Sequence, residues 1–507
     1  RIAEVAMWLM DHLMNRDLSE KLGQYFARLP LAKSARILQA NALRTDWKEW
    51  LPPQECSYVM GNPPFVGSRM MTDEQKAEVR ELFRNAKTAG DLDYVSCWYM
   101  KAAQYIQGTK IECAFVSTNS ISQGLQVGIL WQALDPFKLH LNFAHRTFAW
   151  QSEARGKAHV HVVIIGFSTA DRANKVLFEY EDIQGEPLTL SVKTISPYLL
   201  EAPFVFVTRQ QKPLCTVPEM NYGNMPADGG FLLLNDEEKN ELLKQEPGSL
   251  KYIRRLVGGV EFLHNIPRWC LWLVDALPSE LRSMPAVFSR IAAVKSVREN
   301  SARPHLANIP SVFAQITQPP DVPFIGIPRV SSERRKYLPI GFMPAEVIAT
   351  DLLNIVPNAT LYHFGVLTSA MHMAWMRQVA GRLKSDYRYS KDIVYNTFPW
   401  PEKIADERKA EIERLAQAVL DERAKHLEKG ATLADLYDPV TMPPGLAKAH
   451  AALDRAVDRA YRSAPFETER ARVEHLFARY QALTTLFPAK PPKKPRKKPA
   501  PDKESPP

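Results

Sequence analysis

The chain has 507 residues, enough for two to four domains, and its 45% hydrophobic and 24% charged residues are ordinary for a globular protein. Its formal net charge of +9 favours an anionic partner such as nucleic acid. It has no apolar run of about 18 residues, so no membrane span is expected, and no signal peptide is expected either. Its cysteines form no CxxC pair, which argues against a zinc site and a disulfide framework and favours a reducing cytosol.

The chain opens on a segment with the spacing of an amphipathic helix. Apolar residues recur every three or four positions in RIAEVAMWLMDHLMN, residues 1–15, which predicts a helix with one buried face. Because the sequence starts inside this helix, and with Arg1 rather than methionine, we expect a further segment upstream. Residues 35–47 are predicted to form a short strand around residues 37–38, followed by a polar loop.

A diproline motif follows the first clear strand. CSYVM, residues 56–60, is predicted as a short buried strand, and GNPPF, residues 61–65, as a stiff loop, because two consecutive prolines lack N–H donors and fix φ. In α/β sheets, ligand sites lie at the carboxyl ends of strands. The motif is therefore either a plain turn or an active-site loop that presents an amide, two fixed carbonyl groups and an aromatic ring.

Strands and helices alternate around this motif. Helices are predicted over residues 72–86 and 91–106, and strands over residues 112–124 and 159–168. This alternation up to about residue 130 predicts a mostly parallel α/β sheet. His159 and His161 alternate on a strand without a carboxylate or cysteine nearby, so we interpret them as structural rather than as metal ligands.

The pattern changes beyond residue 175. Residues 175–192 are predicted to form a β-hairpin around Gln184 and Gly185. From about 200 to 400 the chain is rich in proline, aromatic residues and short strand-like runs. Helices are predicted at residues 236–246, 279–299 and 361–382, and throughout residues 402–483. The Pro/Lys tail after Phe487 is predicted to be disordered.

The diproline motif has the groups that methylation of an exocyclic amine on a nucleobase requires. The lone pair of such an amine is delocalised into the ring, and two acceptors for its protons would pull the nitrogen toward sp³ geometry. Asn62 offers a side-chain carbonyl, Pro63 offers a rigid backbone carbonyl, and Phe65 can stack on a base flipped from the duplex. With a sulfonium methyl donor, alignment and electrostatics would supply most of the catalysis.

Several segments together carry a resemblance to a known family. They are RIAEVAMWLMDHLMN, GNPPFVGSRMM, DLDYVSCWYMKAA, FVSTNSISQG, RTFAWQSEARGKAHVHVVIIGF, IPRVSSERRKYLPIGF and GRLKSDYRYSKDIVYNTFPWP. They resemble the methyltransferase and target-recognition portion of the MmeI-like, type IIL restriction–modification enzymes, over roughly residues 1–485. The resemblance implies methyl transfer from S-adenosylmethionine to N6 of adenine in double-stranded DNA, in a bacterial cytoplasm.

The resemblance also implies roles for individual residues. The catalytic motif would be Asn62, Pro63, Pro64 and Phe65. Asn41 matches the position that approaches the adenine of the cofactor, and Asp93 and Tyr94 match its methionine side. Their alternatives are a turn asparagine, a helix N-terminal acid and a core tyrosine. Ser117, Thr118 and Asn119 lie near a further ligand-contacting motif, and Arg146 and Phe148 fall where the target base or strand would lie.

The sequence departs from the family pattern at the cofactor loop. It contains no GxG, and the family's PACGSG-type loop and the acidic residue for the cofactor ribose are expected upstream of Arg1, as is any fused endonuclease. This chain alone is therefore expected to bind cofactor poorly, and a non-catalytic DNA-binding specificity module is an alternative. A second alternative is N4 methylation of cytosine, although asparagine before the prolines favours adenine.

Sequence recognition is predicted between residues 200 and 400. PRVSSERRKY supplies Arg329, Glu333, Arg334, Arg335 and Lys336, and GRLKSDYRYSKD supplies Arg382, Lys384, Arg388 and Lys391 with interleaved tyrosines. Arginine can read guanine bidentately in the major groove, and lysine and tyrosine hold phosphates. The alternative is a solvated charged face. The helices of residues 402–483 are predicted to clamp or brace the DNA, and the tail to add salt-sensitive attraction.

The combined prediction is an α/β protein with two further regions. Residues 1–195 are predicted as the later part of a Rossmann-like, class I S-adenosylmethionine-dependent methyltransferase domain, residues 196–400 as an α+β target-recognition domain, residues 401–486 as a helical region and residues 487–507 as a disordered tail. No metal is implied.

Overall fold

A computed structural model describes residues 2–24, 35–86, 88–150, 160–383 and 385–485. The predictions for His159, Lys384 and the tail after residue 487 lie outside these ranges. Among the described residues, no helix combines the length and the apolar character that crossing a bilayer requires.

The N-terminal part is built on one six-stranded sheet. Its helices are α1 (Ile2–Leu22), α2 (Trp47–Trp50), α3 (Asp73–Leu82), α4 (Ser96–Tyr105) and α5 (Gly124–Leu134), and its strands are β1 (Tyr58–Gly61), β2 (Glu112–Thr118), β3 (His140–Trp150), β4 (Val160–Ser168), β5 (Lys175–Glu179) and β6 (Leu188–Val192). The strand order is β1-β2-β4-β3-β5-β6. As predicted for the first 130 residues, β1 and β2 are parallel, with α3 and α4 between them in the chain.

Later strands make the sheet mixed. β3 pairs with β5 in parallel, whereas β2 with β4, β3 with β4, and β5 with β6 are antiparallel. The antiparallel pair of β5 and β6 confirms the predicted hairpin. Among the described residues, no helix lies between β3 and β4 or between β5 and β6, and each of these sequential pairs is antiparallel.

The core of this sheet comes from alternating residues of β2 and from most residues of β4. Every second residue of β2 is buried, including Phe115. The ring of Tyr99 on α4 lies 5.3 Å from that of Phe115 and 5.4 Å from that of Phe167 on β4. α3 begins as its sequence predicts, because Thr72 and Gln75 form a capping box.

Three predictions for the first sixty residues need correction. α1 forms, but none of its residues is buried, so the expected buried face is wrong for the described structure. Residues 35–40 form no strand, because no described segment pairs with their backbone. β1 starts at Tyr58 and lies at the edge of the sheet, where Tyr58 and Met60 are 66% and 78% exposed rather than buried.

The middle of the chain combines short strands with helices. The helices are α6 (Asp236–Gln245), α7 (Gly259–His264), α8 (Pro278–Arg282), α9 (Pro285–Glu299), α10 (Leu361–Leu367) and α11 (Ala370–Val379). The strands are β7 (Asn221–Tyr222), β8 (Leu233–Leu234), β9 (Ile253–Val257), β10 (Trp269–Leu271), β11 (Phe324–Pro328), β12 (Val330–Ser331), β13 (Gly341–Met343), β14 (Ile348–Ala349), β15 (Leu353–Pro357), β16 (Gly381–Leu383) and β17 (Asp386–Arg388).

Within the described ranges these strands form three small sheets, ordered β14-β9-β10-β8, β13-β11-β15-β7 and β12-β17-β16. The helix predicted over residues 279–299 is divided into α8 and α9, because Pro285 starts a new helix. The helix predicted over residues 361–382 is likewise divided, because Ser369 caps the start of α11.

The C-terminal region is helical, as predicted. Its helices are α12 (Asp406–Leu427), α13 (Leu433–Leu436), α14 (Pro444–Tyr461) and α15 (Glu469–Thr485). These helices pack against the preceding parts of the protein. Phe477 on α15 stacks on Tyr198 with ring centroids 5.2 Å apart, and Asp454 on α14 accepts a hydrogen bond from the Tyr337 hydroxyl at 2.6 Å. Contact of this region with DNA stays a prediction.

Candidate functional site

The diproline motif forms a corner at the carboxyl end of β1. Asn62, Pro63, Pro64 and Phe65, here called the diproline corner, follow directly after Gly61. Asn62 and Pro64 are exposed, Pro63 is buried, and Phe65 is half-buried. The corner therefore lies at the surface, as a ligand-binding turn requires, and not beneath the core.

An open cleft of about 850 Å³ adjoins this corner. Its lining includes Asn62, Pro63, Pro64, Ile37, Leu38, Tyr58, Trp98 and Phe115. Clefts of this size accept cofactors and other small molecules. Most of the side chains in the lining are apolar, so the cleft suits a ligand with large apolar or aromatic surfaces.

Asp93 fixes the loop that leaves the corner. Its Oδ1 accepts a hydrogen bond from the backbone N–H of Ser68 at 3.0 Å, and its Oδ2 accepts one from the Ser120 hydroxyl at 2.5 Å. The next residue, Tyr94, donates its backbone N–H to the carbonyl of Val66 at 2.9 Å. The loop after the corner is therefore bound to the start of α4 and to the end of β2.

A buried carboxylate that the sequence did not single out lies behind this loop. Glu78 on α3 accepts hydrogen bonds from Tyr94 Oη at 2.5 Å, from Asn41 Nδ2 at 2.8 Å and from Arg44 Nε at 2.8 Å. Burial alone raises the pKa of Glu78, but these donors outweigh it and hold the pKa below its usual value. Burial and the neighbouring Glu78 raise the pKa of Tyr94.

The three residues predicted to bind cofactor thus all have protein partners. Asn41 Oδ1 also accepts a hydrogen bond from the backbone N–H of Leu43 at 2.9 Å, which is the geometry of a turn asparagine. Asp93 and Tyr94 are buried. The structure brings Asn41 and Tyr94 together at Glu78, and their direct contact with a cofactor stays a prediction.

Three residues were predicted near a further ligand-contacting motif, namely Ser117, Thr118 and Asn119. The first is buried, and the other two are half-buried. Ser117 is buried and its hydroxyl lies 2.9 Å from that of Tyr99. Thr118 bonds to Ser120, within the network around Asp93. Asn119 lines a second cavity of about 370 Å³, which contains side chains of the N-terminal sheet and of β16 and β17.

Aromatic rings and an ion pair occupy the side of β3 and β5 that faces this second cavity. Arg146 pairs with Glu179, and Phe148 stacks on Tyr180 with ring centroids 5.1 Å apart. His161 lines the cavity. Among the described residues, no three histidines, cysteines or acids are grouped as metal ligands would be. The predicted closeness of Arg146 and Phe148 to a target base stays a prediction.

The two basic segments of the middle region meet in one three-stranded sheet, β12-β17-β16, here called the hairpin sheet. Arg329 directly precedes β12, and Val330 is paired with Arg388 on β17. Arg382 on β16 stacks over Tyr387 with its Cζ atom 3.8 Å from the ring centroid, and it pairs with Glu333 at 3.6 Å. Residues some fifty positions apart in the sequence therefore lie on neighbouring strands of one small sheet.

The remaining basic residues lie on the turn after β12. Arg334 is exposed, and burial lowers the pKa of Arg335. Lys336 is exposed, with its Nζ atom 5.4 Å from the ring centroid of Tyr337. Lys391 follows the hairpin, with its Nζ atom 5.7 Å from the ring centroid of Tyr222. These residues form a charged surface, and the binding of DNA to it stays a prediction.

The hairpin sheet packs directly against α5, the helix that follows β2 in the N-terminal part. Gly124, at the start of α5, has a φ of +58°, and a Cβ atom placed there would lie 2.8 Å from the Cα of Gly381 on β16. Only glycine permits both the backbone conformation and this approach. The hairpin sheet is thereby held at a set position relative to α5 of the N-terminal part.

Sequence reasoning missed Glu78 and Tyr222. Glu78 looked like any acid of an amphipathic helix, and its role depends on partners 16 to 37 residues away. Tyr222 lies far in the sequence from Arg329, whose guanidinium it faces at 4.8 Å.

Comparisons with known proteins agree on one family. Three family models match consecutive parts of the chain: the MmeI DNA-methyltransferase domain at residues 1–179, the MmeI target recognition domain at residues 201–402 and the MmeI C-terminal domain at residues 404–487. Among curated proteins, the chain is 40% identical over 490 residues to DNA methyltransferase A of Bacillus subtilis (strain 168).

Among solved structures, the chain is similar to the type IIL restriction–modification enzyme MmeI in complex with DNA, with 48% sequence identity and a TM-score of 0.84. These matches cover 95% and 96% of this chain, but 54% of the Bacillus subtilis protein and 65% of the MmeI chain. The chain therefore spans between about half and two thirds of the length of these relatives.

Proposed function

The chain belongs to the MmeI family, whose DNA-methyltransferase, target recognition and C-terminal domains it carries in succession, and from this premise we propose that the full-length protein is a site-specific DNA methyltransferase of a restriction–modification system. The methyl donor in this proposal is S-adenosylmethionine. The acceptor is N6 of an adenine in double-stranded DNA, and the place of action is the bacterial cytoplasm.

The observation that carries the proposal is the open diproline corner. Among the described residues, no group donates a hydrogen bond to the side-chain carbonyl of Asn62 or to the backbone carbonyl of Pro63. Two free acceptors side by side suit the two protons of an exocyclic amine, which would shift the nitrogen toward sp³ geometry. Phe65, half-buried beside them, would stack on the extruded base.

The cleft beside Asn62 fits the methyl donor in size and lining. Its apolar side chains, among them Ile37, Leu38 and Trp98, would cover the adenine ring and the carbon chain of S-adenosylmethionine. When bound, the donor supplies a methyl group on a sulfonium centre. Asn62 lies on the rim of this cleft, so the amine that it holds would face the cleft.

The hairpin sheet is assigned to sequence recognition in this proposal. It brings Arg382 and Arg388 onto neighbouring strands, with Arg329 directly before β12 and Arg334 on the turn after it, and it packs against α5 through Gly381 and Gly124. Guanidinium groups donate bidentate hydrogen bonds to guanine in the major groove, and two-stranded ribbons fit that groove. Arg382, which is stacked on Tyr387 and paired with Glu333, is held in one orientation and suits this task.

Methylome sequencing of a host that expresses the full-length gene tests the proposal. We expect a single modified motif that carries N6-methyladenine. N4-methylcytosine in its place would support the cytosine alternative. If the protein binds one DNA sequence but leaves the genome unmodified, a binding module without catalysis would replace the proposal.

A further inference from the structure

The turn after β12, residues 332–336, carries exposed cationic side chains on a short stretch of backbone. Arg334 and Lys336 are exposed, and the N–H of Arg335 donates to the carbonyl of Ser332 at 3.2 Å, which closes the turn. Because the turn lies beyond the end of β12, the directions of its side chains depend on the contacts that fix its backbone.

Arg377 on α11 provides such a contact. Its Nη2 donates a hydrogen bond to the carbonyl of Lys336 at 3.1 Å, although the two residues are 41 positions apart in the sequence. The carbonyl of Arg335 lies 3.5 Å from the same nitrogen. Only 21% of the Arg377 side chain is exposed, so a guanidinium that is occupied by backbone carbonyls has little surface left for a ligand.

Glu469, the first residue of α15, binds the same guanidinium. It forms an ion pair with Nη1 of Arg377. α15 also packs against α11 through Phe477 and Trp375, whose ring centroids lie 5.5 Å apart. A planar guanidinium fork can hold a carboxylate with one N–H group and a carbonyl with another. Arg377 therefore joins the C-terminal region to the turn.

A second contact from the C-terminal region fixes the end of the turn. The hydroxyl of Tyr337, the next residue, donates to Asp454 on α14 at 2.6 Å, and its ring centroid lies 4.1 Å from that of His450. The other carboxylate oxygen of Asp454 accepts a hydrogen bond from the N–H of Ala370 at 2.7 Å, at the start of α11. The turn, α11 and the C-terminal helices are thus connected by hydrogen bonds on both sides of Arg377.

We propose that Arg377 is a positioning residue for DNA recognition: oriented by Glu469, it fixes the turn after β12 so that Arg334 can contact a base. This proposal rests on the proposed function, because it takes the turn as a reader of DNA sequence. A bidentate hydrogen bond to a base requires the guanidinium at a set distance and angle, so a displaced turn would lose the contact. The C-terminal region then takes part in sequence choice through protein contacts alone.

Fluorescence anisotropy with the full-length protein and two labelled duplexes tests the proposal. One duplex carries the motif found by methylome sequencing, and the other carries the same bases in scrambled order. The ratio of the two dissociation constants measures the sequence preference. The variants are R377Q, R377K, E469Q, R334A and the double variant R334A/R377Q. R459Q is the matched control, because Arg459 pairs with Glu411 at 2.9 Å within the C-terminal helices and loses the same charge.

A positioning role predicts that R377Q lowers the sequence preference about five- to fiftyfold, while the affinity for the scrambled duplex stays within about twofold of the wild type. E469Q should act in the same direction with a smaller effect. R377K keeps the charge but not the fork, so it should restore the preference in part. R459Q should behave as the wild type, and equal behaviour of R377Q and R459Q would overturn the proposal.

The double variant decides whether Arg377 acts through the turn. Once R334A has removed the reading side chain, R377Q should cause little further loss, so the two effects should not add. Additive losses would overturn the proposal, as would equal weakening of both duplexes by R377Q, which is the result of a direct phosphate contact or a general loss of structure. Should R377Q not fold, E469Q decides by the same comparison in the R334A background.

Two further results would separate this proposal from its premise. If R334A kept the preference of the wild type, the turn would not read the DNA, and the role of Arg377 would fail with it. If the wild type itself showed no preference for the duplex with the motif, the proposed function would fail.

Discussion

Asp93 accepts a hydrogen bond from the backbone N–H of Ser68 at 3.0 Å, and this contact joins the loop after the diproline corner to the start of α4. The second oxygen of the same carboxylate accepts from Ser120 at 2.5 Å, just beyond the end of β2. One buried side chain thus holds together the loops that follow two neighbouring parallel strands. The position of the corner depends on this link, although Asp93 itself is not open to the cleft.

The most direct prediction concerns Asn62. N62A removes the side-chain acceptor while leaving the exposed backbone in place, so methyl transfer should fall by at least about a hundredfold with little change in DNA affinity. The measurement is transfer of tritiated methyl groups to a duplex that carries the motif, beside binding of the same duplex. N85A, which truncates another exposed asparagine of this domain, is the control. Turnover by N62A at the rate of N85A would refute the catalytic role.

The Glu78 network leads to a prediction of local stability. Y94F removes one of three donors to a buried carboxylate, which should destabilise the region by about 1–3 kcal/mol. Hydrogen–deuterium exchange should therefore quicken in α3 and in residues 41–45, which Glu78 joins. Y58F is the matched control, because Tyr58 is 66% exposed and its hydroxyl makes no hydrogen bond among the described residues. Equal exchange in both variants would show that Glu78 does not organise this region.

The buried His372 should make the folding stability of the protein depend on pH. Burial lowers the pKa of His372 to about 3, while its Nε2 lies 2.9 Å from the Tyr389 hydroxyl. Between about pH 6.5 and pH 3 the unfolded chain binds a proton that the folded protein does not. The stabilising effect of the neutral ring is therefore complete above about pH 6.5 and declines as the pH falls.

H372Q keeps a neutral polar side chain and removes this titration. Urea unfolding followed by tryptophan fluorescence gives the free energy of unfolding at several pH values. Below about pH 6.5, this free energy should change less with pH in H372Q than in the wild type, by about 1.4 kcal/mol per pH unit. Because the replacement itself is destabilising, the slope with pH is the quantity to compare, and not the stability at one pH. An unchanged slope would mean that His372 is protonated in the folded state.

If the hairpin sheet and the turn after β12 read the DNA sequence, their arginines should determine which motif is methylated. R334A removes an exposed guanidinium from the turn after β12, and we expect a changed motif or lower occupancy in methylome sequencing. R303A is the control, because Arg303 is exposed in the same part of the chain but lies outside the hairpin sheet. If every arginine variant between residues 329 and 335 methylated the same motif at the same occupancy, this segment would not be the reader.

The success of the sequence-based predictions depended on how local the signal was. The helix start at Thr72, the helices of residues 402–483 and the hairpin of β5 and β6 rest on residues close in the chain, and each was confirmed. The buried face of α1 and the strand at residues 37–38 required partners elsewhere in the fold. Hydropathy alone does not specify such partners, and both predictions were wrong for the described structure.

The amino-acid sequence by itself determined the family, the order of the regions and the position of the diproline corner, because each rests on residue types within short segments. Only the tertiary structure decided that Asn41 and Tyr94 share Glu78, and that Arg329 and Arg388 lie on one sheet. These pairings depend on strand register and helix packing over long chain separations. Periodicity within a segment carries no information about which distant segment will lie beside it.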